Sequence, residues 1–326
     1  MLITRTPFRA SFFGGGTDIP WFYENHGGGA VISAAIDKYM YLSAHPMFDS
    51  KQILLKYSKI ELVERASDLV HPIAREILTS RDCGGVDIGV SADIPAGTGL
   101  GSSSAFTVSL LNLVNGLQGI YMNKHALAQA ACDTEINKLG EPIGKQDQYA
   151  SAFGGLNKYE FQSDGSVSVT PLVQGKEALA RMDQSLFLVR VGTSTRSASA
   201  ILRSQRESSV GDRRIVDSLK RLRDFTLDSF EIMQNDPERL GELLKISWDL
   251  KKESSPAATN EVIEAIISEG LDAGATGAKL LGAGGGGFVL FYVPPPSRDR
   301  FVKNMSKSNP FNVSIDFQGS AIVYHK

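Results

Sequence analysis

Residues 93–104 read Asp-Ile-Pro-Ala-Gly-Thr-Gly-Leu-Gly-Ser-Ser-Ser, and no other stretch constrains the chain as tightly. Three glycines alternate (Gly97, Gly99, Gly101) and three serines follow (Ser102, Ser103, Ser104). A strand-like run over 86–90 leads in, and a long apolar helical pattern leads out. Glycine permits positive φ and close backbone approach to a ligand. A serine at a helix start caps free N–H groups. Those N–H groups, at the positive end of the helix dipole, favour an anion such as phosphate. The pattern predicts a phosphate cradle; the plainer alternative is a glycine-rich turn before an ordinary capped helix. It is not the Walker-A loop, because no Lys follows the last glycine. It is not the dinucleotide fingerprint either, which needs an acidic residue roughly 20 positions on, after a second strand.

The remaining chain predicts a frame for that cradle. At 326 residues, two domains are expected, here divided as 1–178 and 179–326. In the first half, strands are predicted over 2–13 (broken at Pro7), 30–44, 53–57 and 86–94, with a hairpin over 155–161 and 166–172. Helices are predicted over 67–80, 102–119 and 123–139, and a loop or broken helix over 140–155. In the second half, strands at 186–191, 278–281, 288–293 and 312–317 alternate with helices at 196–207, 211–234, 237–253, 261–273 and 298–305. This mixture predicts an α+β fold. The 32 glycines cluster at 14–16, 27–29, 97–101 and 282–287, as expected of several loops meeting one ligand. A net charge of −2 gives no reason to expect nucleic acid or a membrane surface as partner. Cys83 and Cys132 are too few for a disulfide framework or metal cluster. No apolar run reaches the roughly 18–20 residues of a spanning helix, and no signal-peptide core is visible, so a cytoplasmic protein is expected.

Three stretches now stand in order: Pro7-Phe8-Arg9 with 14–18, then 95–104, then Lys279-Leu280-Leu281 running into the glycines of 282–287. Together they resemble the signature of the GHMP kinases, the superfamily of galactokinase, homoserine kinase and mevalonate kinase, over nearly the whole chain. The resemblance implies a two-domain fold, an N-terminal mixed sheet with buried helices and a C-terminal ferredoxin-like α/β sandwich. It implies ATP and Mg2+ as cofactors and a small-molecule sugar or sugar phosphate as partner. The oligomeric state is left open, a homodimer being one option. Residues 8–18, 144–149 and 193–197, with Trp248-x-x-Lys251-Lys252, are most similar to the sugar-1-kinase branch that contains D-glycero-D-manno-heptose 7-phosphate kinase and L-fucokinase. That branch implies transfer to the anomeric hydroxyl of a heptose 7-phosphate, giving the 1,7-bisphosphate for nucleotide-activated heptose and surface polysaccharide. Other readings remain: a fucokinase-like enzyme on an unphosphorylated sugar, a non-catalytic sensor, and a diphosphomevalonate-type decarboxylase. Galactokinases carry Gly-Glu-His-Thr-Asp where this chain has Gly14-Gly15-Gly16-Thr17-Asp18. Gly15 and Gly16 thus remove two polar side chains, which counts against galactose.

Carried over residue by residue, the resemblance assigns Pro95, Gly97, Thr98, Gly99, Leu100, Gly101, Ser102, Ser103 and Ser104 to the nucleotide. Ser103 and Glu135 match the family's Mg2+ ligands. Asp147 matches a proposed general base and Arg9 the basic residue beside it. Asp18, Gly15 and Gly16 match the sugar site, with His26 as a further candidate. Phosphate recognition runs on Arg and Lys, so Lys145, Arg196 and Lys252 are candidates for a substrate phosphate. Gly284 and Gly285, without side chains, are expected to approach the active-site loops. For each of these cations the plain alternative is a solvated surface charge; for Asp147 and Ser103 it is a loop or helix cap.

Overall fold

The computed structural model describes residues 1–192 and 212–326. Its frame is a long antiparallel pair, β1 (Leu2–Phe13) and β2 (Gly29–Pro46), joined through a one-turn helix, α1 (Pro20–Tyr23). Pro7 does not break β1. The register shifts between Pro7 and Phe8 instead, and a bulge is where a strand tolerates proline.

β2 is long enough to serve different neighbours along its length. Residues Met40 to Pro46 pair with β5 (Val86–Ala92), and residues Gly29 to Ala34 pair with β6 (Leu156–Phe161). Beyond β5 lie β3 (Ile53–Lys56), parallel to it, and β4 (Ile60–Val63); beyond β6 lies β7 (Val167–Pro171). One face of this mixed sheet is covered by α2 (Pro72–Ser80), α3 (Ser102–Leu117), α4 (Lys124–Cys132) and α5 (Gln146–Phe153). α3 is buried from Ser104 to Leu111 without interruption, as its all-round apolar sequence requires.

α6 (Lys176–Ser185) leads into the second sheet, so the expected division at 178/179 falls inside a helix that the sequence pattern did not predict. β8 (Leu186–Val191) is followed by α7 (Arg213–Asn235), α8 (Leu240–Ser254), α9 (Glu261–Asp272), β9 (Gly277–Leu280), β10 (Gly287–Tyr292), α10 (Arg298–Asn304) and β11 (Phe311–Asn312). The strand order β11-β8-β10-β9, all antiparallel, is the ferredoxin-like arrangement. The expected helix over 196–207 lies outside the described residues. The expected final strand over 312–317 is a correction: β11 is only two residues. A further strand, β12 (Ala321–His325), returns to the first sheet and pairs with β1.

Candidate active site

The 97–101 loop leaves the edge of β5 and enters α3 with φ near +76 to +80° at Gly97, Gly99 and Gly101. Gly101 is the helix N-cap, in the left-handed conformation, so the serines are the first helical residues and not the cap. No side chain caps this end, which leaves the first N–H groups of α3 pointing into the loop. Thr98 closes the turn with its hydroxyl on the Pro95 carbonyl at 2.9 Å, and Leu100 is buried beneath it.

Arg9 enters from β1. It is 4 % exposed, and its Nε and Nη2 donate to both carboxylate oxygens of Asp147 at 2.8 and 3.0 Å, while Nη1 donates to the Gly99 carbonyl at 2.6 Å. The guanidinium thus ties the glycine loop to the acid. A Cβ on Gly101 would lie 3.1 Å from Asp147 Oδ2 and 3.4 Å from Arg9 Cγ, so the helix head and the ion pair are in contact. Asp147 is not on a loop. It sits in the first turn of α5, where a carboxylate is favoured by the helix dipole.

Glu135 is not on a solvated helix face. The chain from Asp133 to Lys138 winds as a π-helical turn, which rotates Glu135 inward to 1 % exposure. Ser103 donates to its Oε1 at 2.9 Å and Gln148 to its Oε2 at 2.7 Å. Burial outweighs these bonds and pushes its carboxyl up to about 7.

The 14–18 loop lies against the start of α5. Asp18 is 2 % exposed and accepts from Gly16 N, Gln146 N and Gln146 Nε2 at 3.0 to 3.2 Å. Its carboxylate is largely committed to holding the loop against the residue before Asp147, and burial raises its pKa. Gly15 faces Gln146 and Ser11; Gly16 faces the ammonium of Lys251.

The other candidates are placed elsewhere. His26 packs on Trp21 and Phe22, and its carbonyl accepts from Arg223 at 2.6 Å. Lys145 turns toward the β6–β7 turn, donating to the Gly165 carbonyl at 2.6 Å over the Tyr23 ring. There it lines a cleft of about 1110 Å³ between α1 and α4. Lys252 pairs with Asp249 at 3.1 Å and Glu264 at 3.5 Å. Gly284 and Gly285 rest on Ala258, while it is Gly282 and Gly287 that press on Gly99 and Thr98. Arg196 lies outside the described residues. Among the described residues no group of three or more His, Cys, Asp or Glu is placed to hold a metal ion; Ser103 and Glu135 offer one hydroxyl and one carboxylate.

Two lysines that stand in the motifs, with no role assigned to them there, also reach the site. Lys251 Nζ donates to the Gly15 carbonyl at 3.0 Å, and Lys279 Nζ, 5 % exposed, to the Phe12 carbonyl at 2.9 Å. Burial, with the charges of Lys251 and Arg9, lowers Lys279 to about 7. An amine depressed on folding opposes folding wherever the unfolded chain would be charged. That opposition grows as pH falls from about 10 toward 7 and is constant below. Lys279→Met is therefore expected to stabilise the unliganded protein at pH 7 by on the order of 2–4 kcal/mol, with the gain shrinking toward pH 10. Denaturant titrations at pH 7 and 9.5 measure it; a variant less stable than wild type at pH 7 contradicts the assignment.

A glycine loop at an open helix head is thus met by a part-buried Arg9–Asp147 pair and braced by a second glycine loop. Two family profiles match this architecture: GHMP kinases N terminal domain over residues 61–155 and GHMP kinases C terminal over residues 229–310. The chain belongs to the GHMP kinases, ATP-dependent phosphotransferases. It is similar to the D-glycero-alpha-D-manno-heptose 7-phosphate kinase of Campylobacter jejuni, 26% identical over 333 residues that cover 96% of each chain. A mevalonate kinase of Methanothermobacter thermautotrophicus is 28% identical over 81% of this chain and 83% of its own length. In fold it resembles a D-glycero-D-manno-heptose 1-phosphate kinase from Bacteroides thetaiotaomicron, with a TM-score of 0.80, 21% identity and full coverage of both chains. Among the described residues no helix is long and apolar enough to cross a membrane.

Proposed function

We propose that this chain transfers the γ-phosphoryl group of ATP to the anomeric hydroxyl of D-glycero-D-manno-heptose 7-phosphate. The observation that carries the proposal is the bidentate Arg9–Asp147 pair in contact with the uncapped head of α3. The free N–H groups there receive the triphosphate, as anions bind at helix heads generally. Asp147 accepts the proton of the attacking hydroxyl, and Arg9 holds that carboxylate in place while offering positive charge to the transferring group.

The donor set at Ser103 and Glu135 fits Mg2+, which binds through one or two carboxylates plus phosphate oxygens and water. Held by Ser103 and Glu135, the ion would supply positive charge that neutralises the charge developing on the transferring group. Glu135, pushed up to about 7 by burial, would have to be deprotonated to hold the ion. Gln148 and Ser103 orient its two oxygens.

The heptose assignment draws on the similarity to the C. jejuni heptose 7-phosphate kinase along 96% of both chains and on the side-chain-free positions Gly15 and Gly16. ADP release is to be measured with heptose 7-phosphate, free heptose, L-fucose and mannose. The expected result is the highest kcat/KM with heptose 7-phosphate. A preference for L-fucose redirects the assignment to an unphosphorylated sugar, and ADP from none of the four overturns the sugar-kinase reading.

A further inference from the structure

Lys251 occupies the last turn of α8, half-buried, with its ammonium 3.0 Å from the Gly15 carbonyl and 3.4 Å from the point where a Cβ on Gly16 would stand. Among the described residues no carboxylate lies within ion-pair distance of it, and an ammonium has three protons to donate. On the other side of the same loop, Ser11 Oγ and Gln146 Nε2 lie 3.8 and 3.6 Å from the corresponding point on Gly15. Ser11 Oγ and Gln146 Oε1 are buried and without a hydrogen-bond partner, and buried polar groups are nearly always satisfied. The two bare glycines therefore face unpaired polar groups at Ser11 and Gln146 on one side, and the Lys251 ammonium beside the Leu219 side chain, also 3.4 Å from the Gly16 point, on the other.

Electrostatics points the same way. Arg9 is paired to Asp147, whereas Lys251 has Asp18 as a neighbouring charge but no ion pair among the described residues. Asp18 feels Asp147 on one side and acts on Lys251 on the other, so the acid, Asp18 and the lysine form a sequence across the loop. Lys252 is engaged by two carboxylates, and Lys145 reaches the Gly165 carbonyl in the β6–β7 turn, not the 14–18 loop.

We infer that Lys251 is the specificity-determining residue that receives the phosphate carried by the sugar, with the space over Gly15 and Gly16 as its seat and the Ser11 hydroxyl as a second donor. This rests on the sugar-phosphate reading above. Because a phosphate at the far end of the sugar is recognised equally before and during transfer, losing the contact raises KM and leaves kcat nearly unchanged.

The test is Lys251→Met, which keeps the aliphatic stem and removes the charge; Lys251→Gln serves if the first variant does not fold. KM for heptose 7-phosphate is expected to rise at least tenfold, while KM for free heptose changes less than twofold. Equal changes for both sugars, or none, overturn the inference. If the wild type releases no ADP with heptose 7-phosphate, the sugar reading has failed, and the anion site is decided with inorganic phosphate alone. With the helix head saturated by ADP, thermal stabilisation by phosphate in the wild type and Lys252→Met but not in Lys251→Met supports it. Identical responses in all three proteins overturn it.

Discussion

Asp147→Asn is expected to lower kcat by about 10²–10⁴ while nucleotide affinity stays within a few-fold of wild type. Asparagine keeps the shape of the side chain and one oxygen for Arg9, but it cannot accept the proton of the attacking hydroxyl. Arg9 also retains its bond to the Gly99 carbonyl, so the glycine loop is still tied to β1. The fold is expected to survive, because the guanidinium keeps two of its three acceptors. Steady-state kinetics alongside nucleotide titration separate the two effects. Turnover close to wild type would mean that positioning at the helix head suffices and that no base acts at this position.

The second large effect is expected at Gly99. An alanine there places a Cβ 2.5 Å from the Leu281 carbonyl oxygen, a backbone atom that cannot swing aside, at a φ of +80°. The close approach that this glycine permits is to the second glycine loop. Gly97 is the matched control. Its φ is +76°, and nothing stands within 4 Å of a Cβ. Either alanine carries the backbone penalty of the left-handed region, about 1–2 kcal/mol. Only Gly99→Ala adds a collision between two loops. It is expected to lower Tm clearly more than Gly97→Ala and to weaken ATP binding at least tenfold. Equal behaviour of the two variants, by calorimetry and nucleotide titration, would show that the loops part without consequence.

Much of this was legible in the residues. The alternating glycines announced a cradle because so few backbone geometries need them, and the apolar circumference of α3 announced a buried helix. What escaped was what depends on rotation about an axis. Lys251 and Lys252 are adjacent in sequence, but on a helix they point about 100° apart. The buried stripe Leu240, Leu244 and Ser247 continues to Lys251, three residues after buried Trp248, and that phase marks Lys251 as the inward one. The signal was present and was not used. Glu135 could not be found in this way, because the π-helical turn shifts the phase by one residue just where it matters. The short β12 was hidden because its partner β1 lies at the opposite end of the sequence, a distance no local pattern spans.

That same pairing governs how the molecule can move. Because β12 re-enters beside β1, everything from α6 to β11 is an excursion anchored at both ends in one sheet, not an appendage hung from a single thread. A swing of the small sheet must bend two connections at once and peel Gly282 and Gly287 away from Gly99 and Thr98. Any such swing therefore takes the brace off the first glycine loop, so the shape of the helix head is coupled to the position of the small sheet.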